Sequence, residues 1–138
     1  MTKEQLKAYR SIKLERDLLA EMIEELDAKI YNPKVQQLDG MPRGSSFPAS
    51  PVENAAIKRI ELLERYQRMT HELTEALIEI ERVIEVLKPR ERTLIRLHYA
   101  QGLTWEEVCV AMNYSWRQIH RIHAKALEAL RDNETVPV

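Results

Sequence analysis

Between Leu62 and Leu87 apolar residues recur in alternating steps of four and three: Leu62, Tyr66, Met69, Leu73, Ala76, Ile80, Val83 and Leu87. That spacing is the repeat of a helix buried along one stripe, and neither a strand nor a loop can present it as a single face. From Lys3 to Tyr31 the same alternation appears through Tyr9, Ile12, Leu19, Ile23, Leu26 and Ile30, with Arg16 as its only gap. Two helices that each carry one adhesive stripe either close on one another or recruit a second copy. The stretch between them, Asn32 to Val52, contains Pro33, Pro42, Pro48 and Pro51 together with Gly40 and Gly44. Proline withholds backbone donors and glycine adds freedom, so no regular element is expected there. At about 20 residues the connection is long for a compact domain; its composition fits a flexible linker, the alternative being a segment that docks on something.

The chain is therefore expected to be all-α: a long antiparallel, coiled-coil-like hairpin over residues 1–88, a smaller helical domain over 89–131, and a disordered tail, 132–138. Its 44% hydrophobic and 31% charged residues, with only three glycines, suit that class. A net charge of -1 gives no argument for a polyanionic partner, but the distribution does. From Ser115 to Arg131 the only acid is Glu128, against Arg117, Arg121, Lys125 and Arg131. A single cysteine, Cys109, excludes an internal disulfide and fits a reducing interior. The N-terminus, MTKEQLKAYR, has no apolar signal core, and no apolar run approaches the ~20 residues that span a bilayer. A cytoplasmic protein is expected.

In the C-terminal part, Lys88-Pro89 ends the preceding helix and Pro89 suits the first turn of the next. Arg90 to Tyr99 then offers Leu94, Ile95, Leu97 and Tyr99 for burial, and Gly102 tolerates a left-handed turn. Thr104-Trp105-Glu106-Glu107 reads as a capping box, in which the Thr104 hydroxyl and the Glu107 carboxylate each serve the other's amide. It opens a helix from Trp105 to Met112, and Asn113-Tyr114 turns the chain. Ser115-Trp116-Arg117-Gln118 is a second box, opening a helix from Trp116 to about Leu130. Two capped helices separated by a three-residue turn have the dimensions of a helix-turn-helix, the second helix being the reader. Cys109 faces the crossing and is read as a small buried side chain.

The second helix sorts its residues by face. Ile119, Ile122, Ala126, Leu127 and Leu130 point inward; Trp116, Arg117, Gln118, His120, Arg121 and Lys125 lie outside, without a carboxylate. Arg117, Gln118 and Arg121 are expected at base edges, Lys125 at phosphate, and His120 at either. The plainer alternative is a row of solvated side chains. Trp116 either packs back on Tyr114 and the preceding helix or meets a thymine methyl. His120 and His123, three apart, lack a third ligand nearby, so no metal is expected. Without a phosphate-binding glycine loop or a nucleophile motif, no cofactor and no enzymatic activity are expected.

The strings P-R-E at Pro89 to Glu91, T-W-E-E-V at Thr104 to Val108 and A-K-A-L at Ala124 to Leu127 resemble region 4 of bacterial primary sigma factors. That domain reads the promoter's -35 element. The resemblance implies base-reading positions at Trp116, Arg117, Gln118, His120 and Arg121, backbone contacts at Arg90, His98, Thr104 and Trp105, with Ser115 capping the reader. It also implies RNA polymerase as a partner. The family's Arg-Glu pair at the start of the reading helix is Trp116-Arg117 here, a departure from -35 consensus specificity. Nothing resembles sigma region 2. The hairpin ahead of the domain, and the D-G-M-P-R-G run at Asp39 to Gly44, make the whole chain similar to phage-encoded ArpU/RinA-like transcriptional regulators of Gram-positive bacteria. The expected function is a sequence-specific, double-stranded-DNA-binding transcriptional regulator, phage or prophage encoded, homodimeric through its hairpin. The alternative is a small terminase-like DNA-recognition subunit for phage packaging.

Overall fold

The computed structural model describes residues 1–31 and 51–134, among which there are five α-helices and no strand. They are α1 (Lys3–Tyr31), α2 (Pro51–Val83), α3 (Pro89–Ile95), α4 (Trp105–Met112) and α5 (Trp116–Glu134). The expected loop, apart from its last two residues, and the Asp39 to Gly44 run lie outside the described residues. So does the end of the expected tail, 135–138. Its beginning is helical, because no proline or glycine interrupts α5 before Glu134.

Two compact units make up the chain: Met1–Leu14 together with His71–Val138, and Glu15–Thr70. The boundary expected at Pro89 thus falls inside the first unit, and α1 and α2 each contribute to both.

Within Glu15–Thr70 the two helices run antiparallel. Arg16 of α1 lies with its guanidinium 5.7 Å from the centre of the Tyr66 ring, whereas Asp27, later in α1, pairs with Arg59, earlier in α2. Leu19, Ile23 and Ala55 are buried. The gap that Arg16 leaves in the apolar repeat is therefore occupied by its own cation over a seam aromatic, an interaction worth about 0.5–1 kcal/mol.

The other unit has one core to which every helix contributes. Leu6 and Tyr9 of α1 join Leu73, Ile80, Ile84 and Leu87 with Leu94, Ile95, Tyr99, Val108, Ile119, Ile122, Ala126 and Leu130. Leu6 is wholly buried, although it stands outside the apolar repeat read from the sequence. The α2 helix stops short of its expected end at Lys88: Ile84–Val86 form a 3₁₀ turn, and Leu87 is already extended. Pro89 accounts for this, since it drives Lys88 to ψ 153. Glu91, nearly buried, accepts from the Lys88 amide at 3.3 Å and closes the start of α3.

A single helix was expected over Arg90 to Tyr99; instead α3 ends at Ile95 and Arg96–Ala100 form a π turn. The Gln101 amide reaches back five residues to the Arg96 carbonyl at 2.8 Å, Gly102 takes φ +81, and the Leu103 amide returns to Leu97. Widening the last turn leaves carbonyls without helical donors. Arg10 of α1 collects them, donating from Nε to the His98 carbonyl at 3.1 Å and from Nη2 to Gly102 and Leu103 at 3.3 and 3.4 Å.

Candidate nucleic-acid interface

Both capping boxes form. The Thr104 hydroxyl accepts from the Glu107 amide at 3.2 Å while Glu107 accepts from the Thr104 amide at 3.1 Å. Ser115 and Gln118 repeat the exchange at 3.2 and 2.9 Å. Between the helices Asn113 takes the left-handed conformation, φ 57 and ψ 43, and the Tyr114 amide closes on the Cys109 carbonyl. Asparagine is among the few side-chain-bearing residues that visit this region readily. The turn angle between α4 and α5 is thus set by local chemistry on both sides. Ser115→Ala should lower the unfolding free energy by about 1 kcal/mol; a urea titration that shows no change would remove the cap from this account.

The inner face of α5 is as expected: Ile119, Ile122, Ala126 and Leu130 are buried and Leu127 is partly so. On the outer face Ser115, Trp116, Arg117, Gln118, Arg121 and Lys125 are exposed. Arg117, Arg121 and Lys125 stand four residues apart and share one ridge. Trp116 is 52% exposed, its ring 4.4 Å from that of His120. Gln118 is more constrained than its sequence position implies. Its Oε1 is committed to the Ser115 amide, so a bidentate pairing with adenine, which needs both ends of the carboxamide, is not open to it in this arrangement.

Behind the ridge lies an aromatic cluster. Trp105, partly buried, stacks on His98 at 3.7 Å and meets His120 at 5.1 Å and His123 at 4.6 Å. His98, expected to touch the DNA backbone, lies on the inner side of this cluster. It is 8% exposed, lies beneath the indole, and points Nδ1 at the Leu103 carbonyl, 2.8 Å away. A carbonyl only accepts, so Nδ1 carries the proton, and burial keeps the ring neutral by lowering its pKa. The role of His98 is to pin the chain ahead of Thr104. The Tyr99 hydroxyl meets His123 Nε2 at 2.7 Å in the core. Burial pushes the phenol up to about 12 and the imidazole down to about 4, so the phenol donates and the neutral ring accepts. His123 is thereby a core hydrogen-bond partner. Among the described residues no group of three or more His, Cys, Asp or Glu is placed to hold a metal ion.

Thr104, Trp105, His98 and His120 line one open cleft of about 630 Å³, together with Lys3, Lys7 and Arg10 of α1. Arg90, exposed in the first turn of α3, is not part of it. The contribution of Lys3, Lys7 and Arg10 of α1 to this wall was not visible in the sequence. The spacing of Leu6, Tyr9 and Arg10 would have been the signal: apolar residues three apart with a long cation beside them.

A family model, Sigma-70, region 4, matches residues 83–132. The C-terminal helix-turn-helix is sigma region 4-like. It is a DNA-binding module, and the matched stretch takes in the 3₁₀ turn, α3, the π turn, α4 and most of α5. The match does not extend to α1 or to most of α2, which supply Leu6, Tyr9, Leu73 and Ile80 to the same core. No curated protein and no solved structure matches the chain. No helix among the described residues is long and apolar enough to cross a membrane.

Proposed function

We propose that the chain is a sequence-specific transcriptional regulator that places α5 in the major groove of promoter DNA. One observation carries this reading: the sigma region 4-like module presents a rigidly capped helix whose outer face is exposed and free of carboxylates through Lys125. Arg117 and Arg121 contact base edges there, and Lys125 a phosphate. Thr104 and Trp105 hold the backbone at the start of α4, and Arg90 does so from α3. The protein performs no catalysis in this role and needs no cofactor. Its setting is the cytoplasm of a Gram-positive host of a phage or prophage, and RNA polymerase is the partner that a sigma region 4-like module would engage.

Arg117→Ala and Arg121→Ala should each relax selectivity at one base step by about 1–3 kcal/mol. Lys125→Ala should weaken every sequence alike and flatten the salt dependence. The measurement is a band-shift titration against a site selected from random duplexes; no change in all three variants would refute the groove assignment. Dimerisation is part of the proposal. Leu18 and Met22 on α1 and Ile57 and Ile60 on α2 remain half exposed in the Glu15–Thr70 unit, more apolar surface than a solitary hairpin needs. Sedimentation should give a dimer; a ring of many copies would favour a DNA-packaging subunit.

A further inference from the structure

The first two turns of α1 are built into the DNA-binding unit, yet nothing in the helix-turn-helix motif requires them. Leu6 and Tyr9 are sunk in its core and Arg10 is bolted to three carbonyls of the loop before α4. Lys3 and Lys7, four residues apart, therefore project from a helix that cannot roll. Both line the cleft that holds Thr104, Trp105 and His120, and neither is engaged in an ion pair among the described residues. The only carboxylate among the described residues of that wall is Glu106.

A fixed pair of unneutralised cations beside the capped start of α4 attracts an extended anion. The cleft has a polar atom in want of a partner as well: His120 Nε2 is buried without a hydrogen bond, a condition native structures seldom leave uncompensated. The field of Lys3 and Lys7 is felt through the wall, where, after burial, it helps keep His123 uncharged.

We propose that α1 extends the DNA-binding surface, with Lys3 and Lys7 each holding a backbone phosphate of the duplex whose groove α5 enters. The proposal rests on the reading of α5 as the groove helix. It adds a sequence-independent clamp contributed from outside the matched stretch. A duplex fits this site better than a compact anion because the cleft is open and its cations lie along a helix instead of converging on one point.

The test uses the full chain and a mixed-sequence duplex, followed by fluorescence anisotropy from 50 to 200 mM salt. Each lost phosphate contact should reduce the slope of log affinity against log salt by about 0.9. Lys3→Ala/Lys7→Ala should thus flatten it by about 1.8, shrinking the loss of affinity over that range by about tenfold. The melting temperature should stay unchanged, as both side chains are exposed. An unaltered slope in the double variant, with Lys125→Ala still flattening it, would overturn the clamp and leave the groove assignment standing. If the wild type bound no duplex at all, both would fall. A melting temperature raised by inorganic phosphate in the wild type but not in the double variant, with the DNA slope unchanged, would assign the cleft to a small free anion and overturn the proposal.

Discussion

Leu6→Ala should destabilise the DNA-binding unit by about 2–5 kcal/mol, the range for truncating a fully buried leucine, although residue 6 and the helix-turn-helix stand at opposite ends of the sequence. Leu6 is completely enclosed and shares its core with Ile80, Leu94, Val108 and Ile119; α1 is fixed in place, so little can collapse into the space left behind. The matched stretch in isolation is deprived of the same support. A fragment covering residues 83–132 lacks Leu6, Tyr9, Leu73 and Ile80, and loses the Arg10 bonds that close the loop from His98 to Leu103. It should melt without a cooperative transition, or far below the full chain. Calorimetry on the fragment and on Leu6→Ala would check both, and an independently stable fragment would show that α1 merely rests against a finished domain.

Acid should unfold this unit before its carboxylates are involved. His123 falls to about 4 in the folded state against about 6.5 unfolded, because burial disfavours its charged form and, after burial, the Lys3 cation opposes a second positive charge. A lowered folded pKa on a basic group means that the unfolded chain takes up the proton first. Stability is therefore complete above about pH 6.5 and is lost progressively from there down to about pH 4, by about 3 kcal/mol in total. His98, lowered in the same direction and chiefly by burial, adds to the slope. His123→Gln can still accept from Tyr99 but cannot titrate. Denaturant titrations at pH 7, 5.5 and 4 should show a shallower decline in that variant; an identical decline would place the acid sensitivity elsewhere.

What could be read from the sequence was what neighbouring residues decide among themselves. The capping boxes at Thr104 and Ser115, the turn at Asn113 and the inner face of α5 each depend on residues within a few positions, and all stand as expected. The fate of α1 depended on contacts about ninety residues away. An apolar stripe states that a helix has a partner without naming it; here the first turns of α1 serve the C-terminal core and only its later part lies in the Glu15–Thr70 hairpin. Arg10 could not be interpreted, since its acceptors exist only because the last turn of the α3 segment widens. Arg16 looked like a defect for a similar reason, its partner Tyr66 being on the other helix. The burial of His98 could not be foreseen because a family resemblance carries no information on what stacks above a residue, and in this chain that is Trp105.

Because Leu6 and Leu130 meet in one core, the order of synthesis matters. The N-terminal segment leaves the ribosome first and waits while more than a hundred further residues are added, an interval of roughly 6–25 s at about 5–20 residues per second. During that time Leu6 and Tyr9 have no finished surface to join. A nascent chain of this design gains its capacity for DNA only once α5 has been made and can close over the waiting first turns of α1.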